Sequence, residues 1–345
     1  MSGKPPRVHA DASDESLLDV RNLTTWFNSA AGPVRAVTEV SLDVRPGEFF
    51  ALVGESGSGK SALARSLLRL HPPRMLARHT GEVRFEGRDL ESLDESAMQE
   101  VRGRRIGLVL QDPTSALNPV LTIETQIGLV LRRHTTLGRR ERRARIVEAL
   151  DGVGIPDAAR RMGDYPGQLS GGMRQRVVIA AALICDPVLL IADEPTTALD
   201  VTIQASILQL IDDLRRQLRL GVLFITHDLG VVAEHADRVA VMYAGRIVER
   251  GTVEGVFANP VMPYTRALLD SVPQRALAAG HRHLASIPGR PPGLTGPEAT
   301  ACAFLPRCPD AIGVCAHRRP VLTEVIDGRE AACHLAFAER EPNAS

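Results

Sequence analysis

Gly54-Glu55-Ser56-Gly57-Ser58-Gly59-Lys60-Ser61 is the stretch that decides how this chain folds. It fits the phosphate-loop pattern G-x-x-x-x-G-K-[ST]. Glycines let a backbone curl until its N–H groups point at phosphate oxygens. A helix opening at Lys60 adds the positive end of its dipole. In such a loop the lysine reaches the terminal phosphates and the Ser61 hydroxyl ligates Mg²⁺. The flanks agree. Phe49 to Val53 is a short apolar run of the kind buried in a parallel sheet, and helical spacing follows from Lys60 to about Leu70, where Pro72-Pro73 stops it. A bare glycine turn would explain the bend but leave the lysine and serine to coincidence.

Farther along, Val188-Leu189-Leu190-Ile191-Ala192-Asp193-Glu194 carries a second acidic half of such a site. The apolar run puts the acidic pair at the C-terminal end of a strand, where ligands of open α/β sheets bind. Asp193 suits the Mg²⁺ shell, and Glu194 is placed to orient and deprotonate an attacking water. Strands are also expected at Leu17 to Phe27, Ala36 to Val44, Gly81 to Leu90, Arg105 to Leu110 and Val222 to Thr226. Helices are expected at Arg139 to Leu150, from Ser170 onward and at Ile203 to Gln217. No internal repeat is visible.

Bulk composition bounds the rest. The 345 residues are 44% hydrophobic, enough for one large domain with a smaller appendage. Lys+Arg and Asp+Glu both count 41, so there is no bulk attraction to nucleic acid or anionic lipid. Residues 1–16 read as a polar, solvated tail without a signal-peptide core, and no apolar run is long enough to span a membrane. Any membrane role therefore needs partner chains.

Leu169-Ser170-Gly171-Gly172-Met173-Arg174-Gln175-Arg176 narrows the class, because it resembles the ABC signature. Other motifs of ABC ATPases follow in the expected order. Gln111 matches the Q-loop, Ala198-Leu199-Asp200 the D-loop and His227 the switch histidine. Phe27 matches the aromatic residue that stacks on adenine, with Trp26 beside it as an alternative. The resemblance covers roughly residues 17–260. It implies that Ser170, Gly171, Gly172 and Gln175 act in trans on ATP held by a partner's phosphate loop. It further implies that Gln111, Glu194 and His227 serve catalysis and that Ser61, Gln111 and Asp193 serve Mg²⁺. Gly54, Ser56, Gly57, Ser58, Gly59 and Lys60 would cradle the phosphates. On its own, Ser-Gly-Gly at the start of a helix is also an ordinary N-cap and turn.

Two further stretches look like the oligopeptide/dipeptide importer branch. One is Gln111-Asp112-Pro113-Thr114-Ser115-Ala116-Leu117-Asn118-Pro119. The other is Asn259-Pro260-Val261-Met262-Pro263-Tyr264-Thr265-Arg266-Ala267-Leu268-Leu269, where Met262 stands in place of the branch's usual His. That departure keeps a nickel or other small-solute importer as the alternative. A soluble ABC ATPase for repair or translation lacks support, since long coiled-coil insertions and a second cassette are missing; an exporter would usually be fused to membrane spans. The resemblance implies two integral membrane permeases, a second ATPase subunit (a heterodimer, with a homodimer as the alternative), an extracytoplasmic substrate-binding protein and a place at the cytoplasmic face of the cell membrane.

Four of the five cysteines come late: Cys302, Cys308, Cys315 and Cys333, with five, six and seventeen residues between successive thiols. Zinc ribbons prefer tighter pairs, whereas four thiolates can hold an iron–sulfur cluster. Similar importer ATPases carry cysteines in this arrangement with a [4Fe–4S] cluster, which is the expected cofactor beside ATP and Mg²⁺. Zinc and free thiols stand as alternatives, and His317 and His334 as alternative ligands. Cys185 reads as a small buried hydrophobe.

The expected architecture is thus α/β: a P-loop NTPase core of the ABC type over residues 17–260, with an antiparallel β subdomain and a helical signature subdomain at about 113–175. A cysteine-containing C-terminal module over 261–345 follows.

Overall fold

The computed structural model describes residues 16–197, 199–272, 286–296, 298, 300–326 and 328–338. The expected tail, except Ser16, lies outside the described residues, as do Ala198 of the D-loop motif and residues 273–285, 297 and 299 of the C-terminal module.

Two sheets organise the chain. The smaller is antiparallel, in the order β2-β1-β4-β5, from β1 (Leu18–Phe27), β2 (Val34–Val44), β4 (Leu76–Phe85) and β5 (Arg88–Asp89). The larger has eight strands in the order β11-β12-β10-β9-β3-β8-β7-β6. Its parallel part is built from β3 (Phe49–Val53), β6 (Ile106–Val109), β7 (Leu189–Asp193), β8 (Gly221–Thr226) and β9 (Arg238–Tyr243). Antiparallel pairing then extends it through β10 (Arg246–Thr252), β12 (Arg329–Ala331) and β11 (Thr323–Ile326).

Period-2 alternation explains how the sheets stack. All five residues of β3 are buried. Phe50 and Leu52 join the cluster with Val37, Leu42, Leu63 and Leu67, between the two sheets. Ala51 and Val53 turn the other way, toward Val239, Tyr243, Tyr264 and Phe304. Strand order and alternation together put the glycine loop at the C-terminal end of β3, beside the ends of β7 and β8.

The helical part is set by caps. Ser170 accepts from the Met173 N–H at the start of helix Gly171–Leu183, and Asp200 accepts from the Ile203 N–H at the start of helix Val201–Leu218. Helices Ile123–His134 and Arg139–Gly152 pack with Gly171–Leu183 around Ile127, Leu131, Ile146, Leu150, Val177 and Ile179. The C-terminal segment is more closely joined to the core than an appendage would be. Its hairpin β11–β12 continues the main sheet, and Phe304 and Cys333 lie in one apolar cluster with Val53 of β3.

Candidate nucleotide site

Between Val53 and helix Lys60–Leu67 the loop turns through positive φ at Gly54 (152°), Gly57 (79°) and Gly59 (109°). Two of these glycines also have no room for a side chain. A Cβ at Gly54 would lie 2.2 Å from the Met242 carbonyl oxygen, and one at Gly59 would lie 2.0 Å from that of Ala36. The loop is therefore pressed against β2 and β9, with its other side open to a cleft of about 630 Å³. Ser56, Gly57, Lys60, Ser61, Gln111, Glu194 and His227 line that cleft.

Lys60 is 5% exposed. Its Nζ donates to the carbonyl oxygens of Gly54 (2.7 Å) and Glu55 (3.0 Å). Burial pushes its pKa below the usual lysine value, against the pull of Glu194, Asp193 and Glu55. Across from it the Ser61 hydroxyl donates to Asp193 Oδ1 at 2.9 Å, while Asp193 Oδ2 is buried without a partner. Burial lifts the Asp193 carboxyl above its ordinary range, Ser61 opposes that, and the charge of Glu194 adds to it. A buried carboxylate oxygen with nothing to accept from costs on the order of 1–3 kcal/mol. The donor set, a hydroxyl and an all-oxygen carboxylate at the phosphate loop, fits a hard divalent cation such as Mg²⁺.

Glu194 gathers the remaining groups. Its carboxylate accepts from Thr197 Oγ1 (2.8 Å) and Gln111 Nε2 (3.0 Å) and meets His227 Nδ1 at 3.3 Å. Glu194 itself sits at φ 48°, a left-handed conformation uncommon outside glycine. Its N–H donates to the Ile225 carbonyl of β8 at 2.9 Å, which holds that conformation in place. Residues from the chain after β6, after β7 and after β8 thus converge on one carboxylate.

Other expected residues lie apart from this cleft. Phe27 ends β1 with its ring edge-on to His71, centroids 4.7 Å apart, and is not among the residues lining the cleft. The alternative, Trp26, donates from Nε1 to Thr38 Oγ1 at 3.1 Å and carries Arg78 over its ring. Ser170 is exposed, Gly171 faces Leu199, and Gly172 is packed on Ile203. Gln175 is 1% exposed with its amide nitrogen unpartnered. Asp200 spends its carboxylate on the helix cap described above.

All five cysteines are free. Cys185 packs against the helical cluster but is only half-buried, not the fully buried hydrophobe expected. The Cys302 N–H donates to the Cys315 carbonyl at 2.9 Å. Burial raises the thiol pKa values of Cys302, Cys308 and Cys333. Charge on nearby cysteines raises them further: Cys315 and Cys308 act on Cys302, Cys315 on Cys308, and Cys302 and Cys308 on Cys333. His334 is engaged with the Arg318 carbonyl at 2.8 Å. Among the described residues no group of three or more His, Cys, Asp or Glu side chains is arranged to hold a metal ion, so the structure does not supply the metal centre expected from the cysteine pattern.

Sequence reasoning gave no role to Thr197, Glu55, Tyr264 or Arg307. Thr197 follows Glu194 by three residues, a spacing that could have suggested its contact. Tyr264 stood in the quoted C-terminal motif without a reason. Arg307 meets Glu55 across 252 residues, a separation no local pattern announces.

Comparisons with known proteins bear on this geometry. Residues 37–197 match the family described as ABC transporter, and residues 248–315 match the oligopeptide/dipeptide transporter C-terminal region. A probable peptide ABC transporter ATP-binding protein of Sinorhizobium fredii is 50% identical, covering 95% of this chain and 97% of its own. A dipeptide transport ATP-binding protein of Bacillus subtilis is 47% identical, covering 93% and 95%. Among solved structures, a dimeric post-hydrolysis ATP-binding cassette bound to ADP and phosphate superposes with a TM-score of 0.61 at 30% identity, covering 68% of this chain and 98% of its own. The chain belongs to the ABC transporter ATP-binding family and is an ATPase of that class. Within the family its particular place is among the ATP-binding subunits of the oligopeptide/dipeptide branch, with which it shares both the cassette and the C-terminal region. Among the described residues no helix is long and apolar enough to cross a membrane.

Proposed function

We propose that this chain is the ATP-hydrolysing motor of a peptide importer, working at the cytoplasmic face of the membrane beneath two permeases fed by an extracytoplasmic binding protein. The observation that carries the reading is the convergence of Gln111, Thr197 and His227 on the Glu194 carboxylate at the mouth of the phosphate loop. A carboxylate so held can take a proton from a water aimed at the terminal phosphate, with His227 beside both. The loop N–H groups and Lys60 bind the triphosphate; on its arrival the Lys60 ammonium exchanges backbone carbonyls for phosphate oxygens. Ser61 and Asp193, with Gln111 nearby, would hold Mg²⁺, which offsets charge building on the phosphate oxygens when bound.

A second copy or relative completes the site. Exposed Ser170 and the helix N-terminus it caps, with Gly171, Gly172 and Gln175, would close over ATP held by the partner, and Asp200 would lie at that interface. Closure of the pair is then the work that ATP binding does on the permeases. Adenine stacking would need Phe27 to leave its contact with His71. Substrate class rests on the peptide and dipeptide relatives and on the matched C-terminal region. Met262 is 3% exposed in the cluster with Tyr264 and Phe304, so its replacement of His is a packing change and does not favour a nickel importer. The division near residue 260 is supported by the Pro-bounded entry into helix Pro263–Asp270. A [4Fe–4S] cluster on Cys302, Cys308, Cys315 and Cys333, serving as a staple, is supported by residue type and number alone, since the described side chains form no metal-holding group as they stand. Anaerobic purification with iron and sulfide analysis tests it; zinc without iron, or neither, overturns it.

The motor reading is tested by co-purifying the native complex and measuring ATP hydrolysis in vesicles. Hydrolysis should rise when binding protein loaded with peptide is added. No permease in the complex, or stimulation by nickel and not by peptide, would overturn it.

A further inference from the structure

We infer that Arg307 and Tyr264, both from the C-terminal module, are positioning residues of the phosphate loop, so that this module forms part of the nucleotide site. The inference rests on the proposal that the loop binds ATP.

The geometry centres on one peptide unit. The Gly54 carbonyl accepts from Lys60 Nζ at 2.7 Å, and on the opposite edge of the same peptide the Glu55 N–H donates to Tyr264 Oη at 2.9 Å. The plane of the Gly54–Glu55 peptide is thus held from both sides, by the catalytic-site lysine and by a tyrosine 209 residues away. Arg307 fixes the next atom group. Its two terminal nitrogens donate to the two oxygens of the Glu55 carboxylate at 2.7 and 2.8 Å, a bidentate fork whose directionality a lysine cannot reproduce.

Arg307 is itself rigidly presented. Its side chain is 3% exposed, Nε donates to the Pro288 carbonyl at 2.9 Å, and a terminal nitrogen donates to Tyr243 Oη at 3.3 Å. It ends the short turn Leu305–Arg307, between Cys302 and Cys308. Tyr264, Tyr243 and Phe304 pack ring on ring, with centroids 4.4–5.4 Å apart. The fork and the tyrosine hydroxyl therefore stand on one packed aromatic base. A carboxylate in a loop that must receive an anionic triphosphate would repel it if free. Paired with Arg307, its charge is offset and its oxygens are turned away from the cleft lining, in which Glu55 has no part. A loop preorganised in this way loses less freedom when ATP binds.

The test uses the full chain, with binding of a fluorescent ATP analogue and steady-state hydrolysis of ATP as readouts. Tyr264→Phe removes one hydroxyl and leaves the aromatic packing; it should weaken ATP binding about threefold to tenfold, the scale of one lost hydrogen bond. Arg307→Met should weaken binding about tenfold or more and Arg307→Lys by less, with the loss falling on KM more than on kcat. Adding Glu55→Gln to Arg307→Met should cost no more than Arg307→Met alone, because the two act as one unit. A merely structural role would lower the melting temperature without moving KM. Folded Tyr264→Phe and Arg307→Met proteins that bind ATP within about twofold of the wild type would overturn the inference, as would fully additive effects. Should Arg307→Met not fold, Tyr264→Phe and Glu55→Gln decide. If wild type binds ATP and Lys60→Ala does not, unaltered binding by these variants sinks this inference alone; if wild type does not bind ATP, the reading of the site falls with it.

Discussion

Glu194→Gln separates chemistry from architecture at the point where the site converges. The side chain keeps its size and its three neighbours. The Thr197 hydroxyl can donate to the new amide oxygen or accept from the new NH₂. Gln111 can turn its own amide over to present oxygen. His227, with 61% of its side chain exposed, has water as an alternative partner. The folded state should lose no more than about one net hydrogen bond, roughly 0.5–1.5 kcal/mol. For a chain of this size that is a shift of only a few degrees in melting temperature. The reaction loses its proton acceptor, and a positioned base contributes about 10²–10⁴ in rate. That corresponds to about 2.7–5.4 kcal/mol of barrier at about 1.36 kcal/mol per decade. ATP affinity should hold or rise, since an anion beside the triphosphate has been removed. The assays are single-turnover phosphate release, ATP binding, and the mass of the ATP-bound species, which should shift to a long-lived pair. A variant with unchanged melting behaviour whose turnover stays within about tenfold of wild type would refute the assignment of Glu194 as the base.

Three further outcomes follow from packing and charge. Gly59→Ala would drive a Cβ to 2.0 Å from the Ala36 carbonyl at φ 109°, and should cost at least about 3 kcal/mol in a urea titration; a neutral effect would mean that the loop is free to shift. Lys60 has a folded pKa below its unfolded value, so the unfolded state holds this proton more tightly. Its contribution should make the apo protein more stable as pH rises from the depressed value toward about 10.5, and Lys60→Met should flatten the slope of urea midpoints there. At Asp43, burial alone would raise the pKa, but the Arg238 guanidinium, forked onto it at 2.8 Å twice and touching Glu48 at 3.3 Å, brings it below the ordinary range. That stability is present above the unfolded pKa and lost as pH falls through the folded one. Arg238→Met should therefore cost about 2–4 kcal/mol at neutral pH, less than a fully buried pair because the groups are partly exposed, and the cost should shrink on acidification; a cost independent of pH would contradict the pairing.

The parallel core was legible because its strands are continuous apolar runs ending in chemistry-bearing residues, as at Phe49 to Val53 and Leu189 to Asp193. The placement of Ser61 and Glu194 at one cleft was legible for the same reason, since each directly follows its loop or strand. Pairing across long separations was not. A local hairpin was missed as well: strands Arg238–Tyr243 and Arg246–Thr252 are joined by a turn at Ala244 and Gly245, both at positive φ, of which only the glycine is a turn signal in the sequence. The continuation of the main sheet by β12 and β11 is carried by backbone hydrogen bonds that leave no side-chain period behind. At Phe27 the motif gives a place in the chain but not a contact, and the ring stands edge-on to His71.

The hairpin of β11 and β12 covers the edge of β10. Were the chain to stop near residue 260, β10 would become a bare margin whose unpaired amides and carbonyls could template any passing strand. Arg250 would lose Glu330, and Arg329, now donating to the Gly255 and Asn259 carbonyls, would no longer close off the turn beyond it. Removing the module would therefore leave this sheet with an open, adhesive edge.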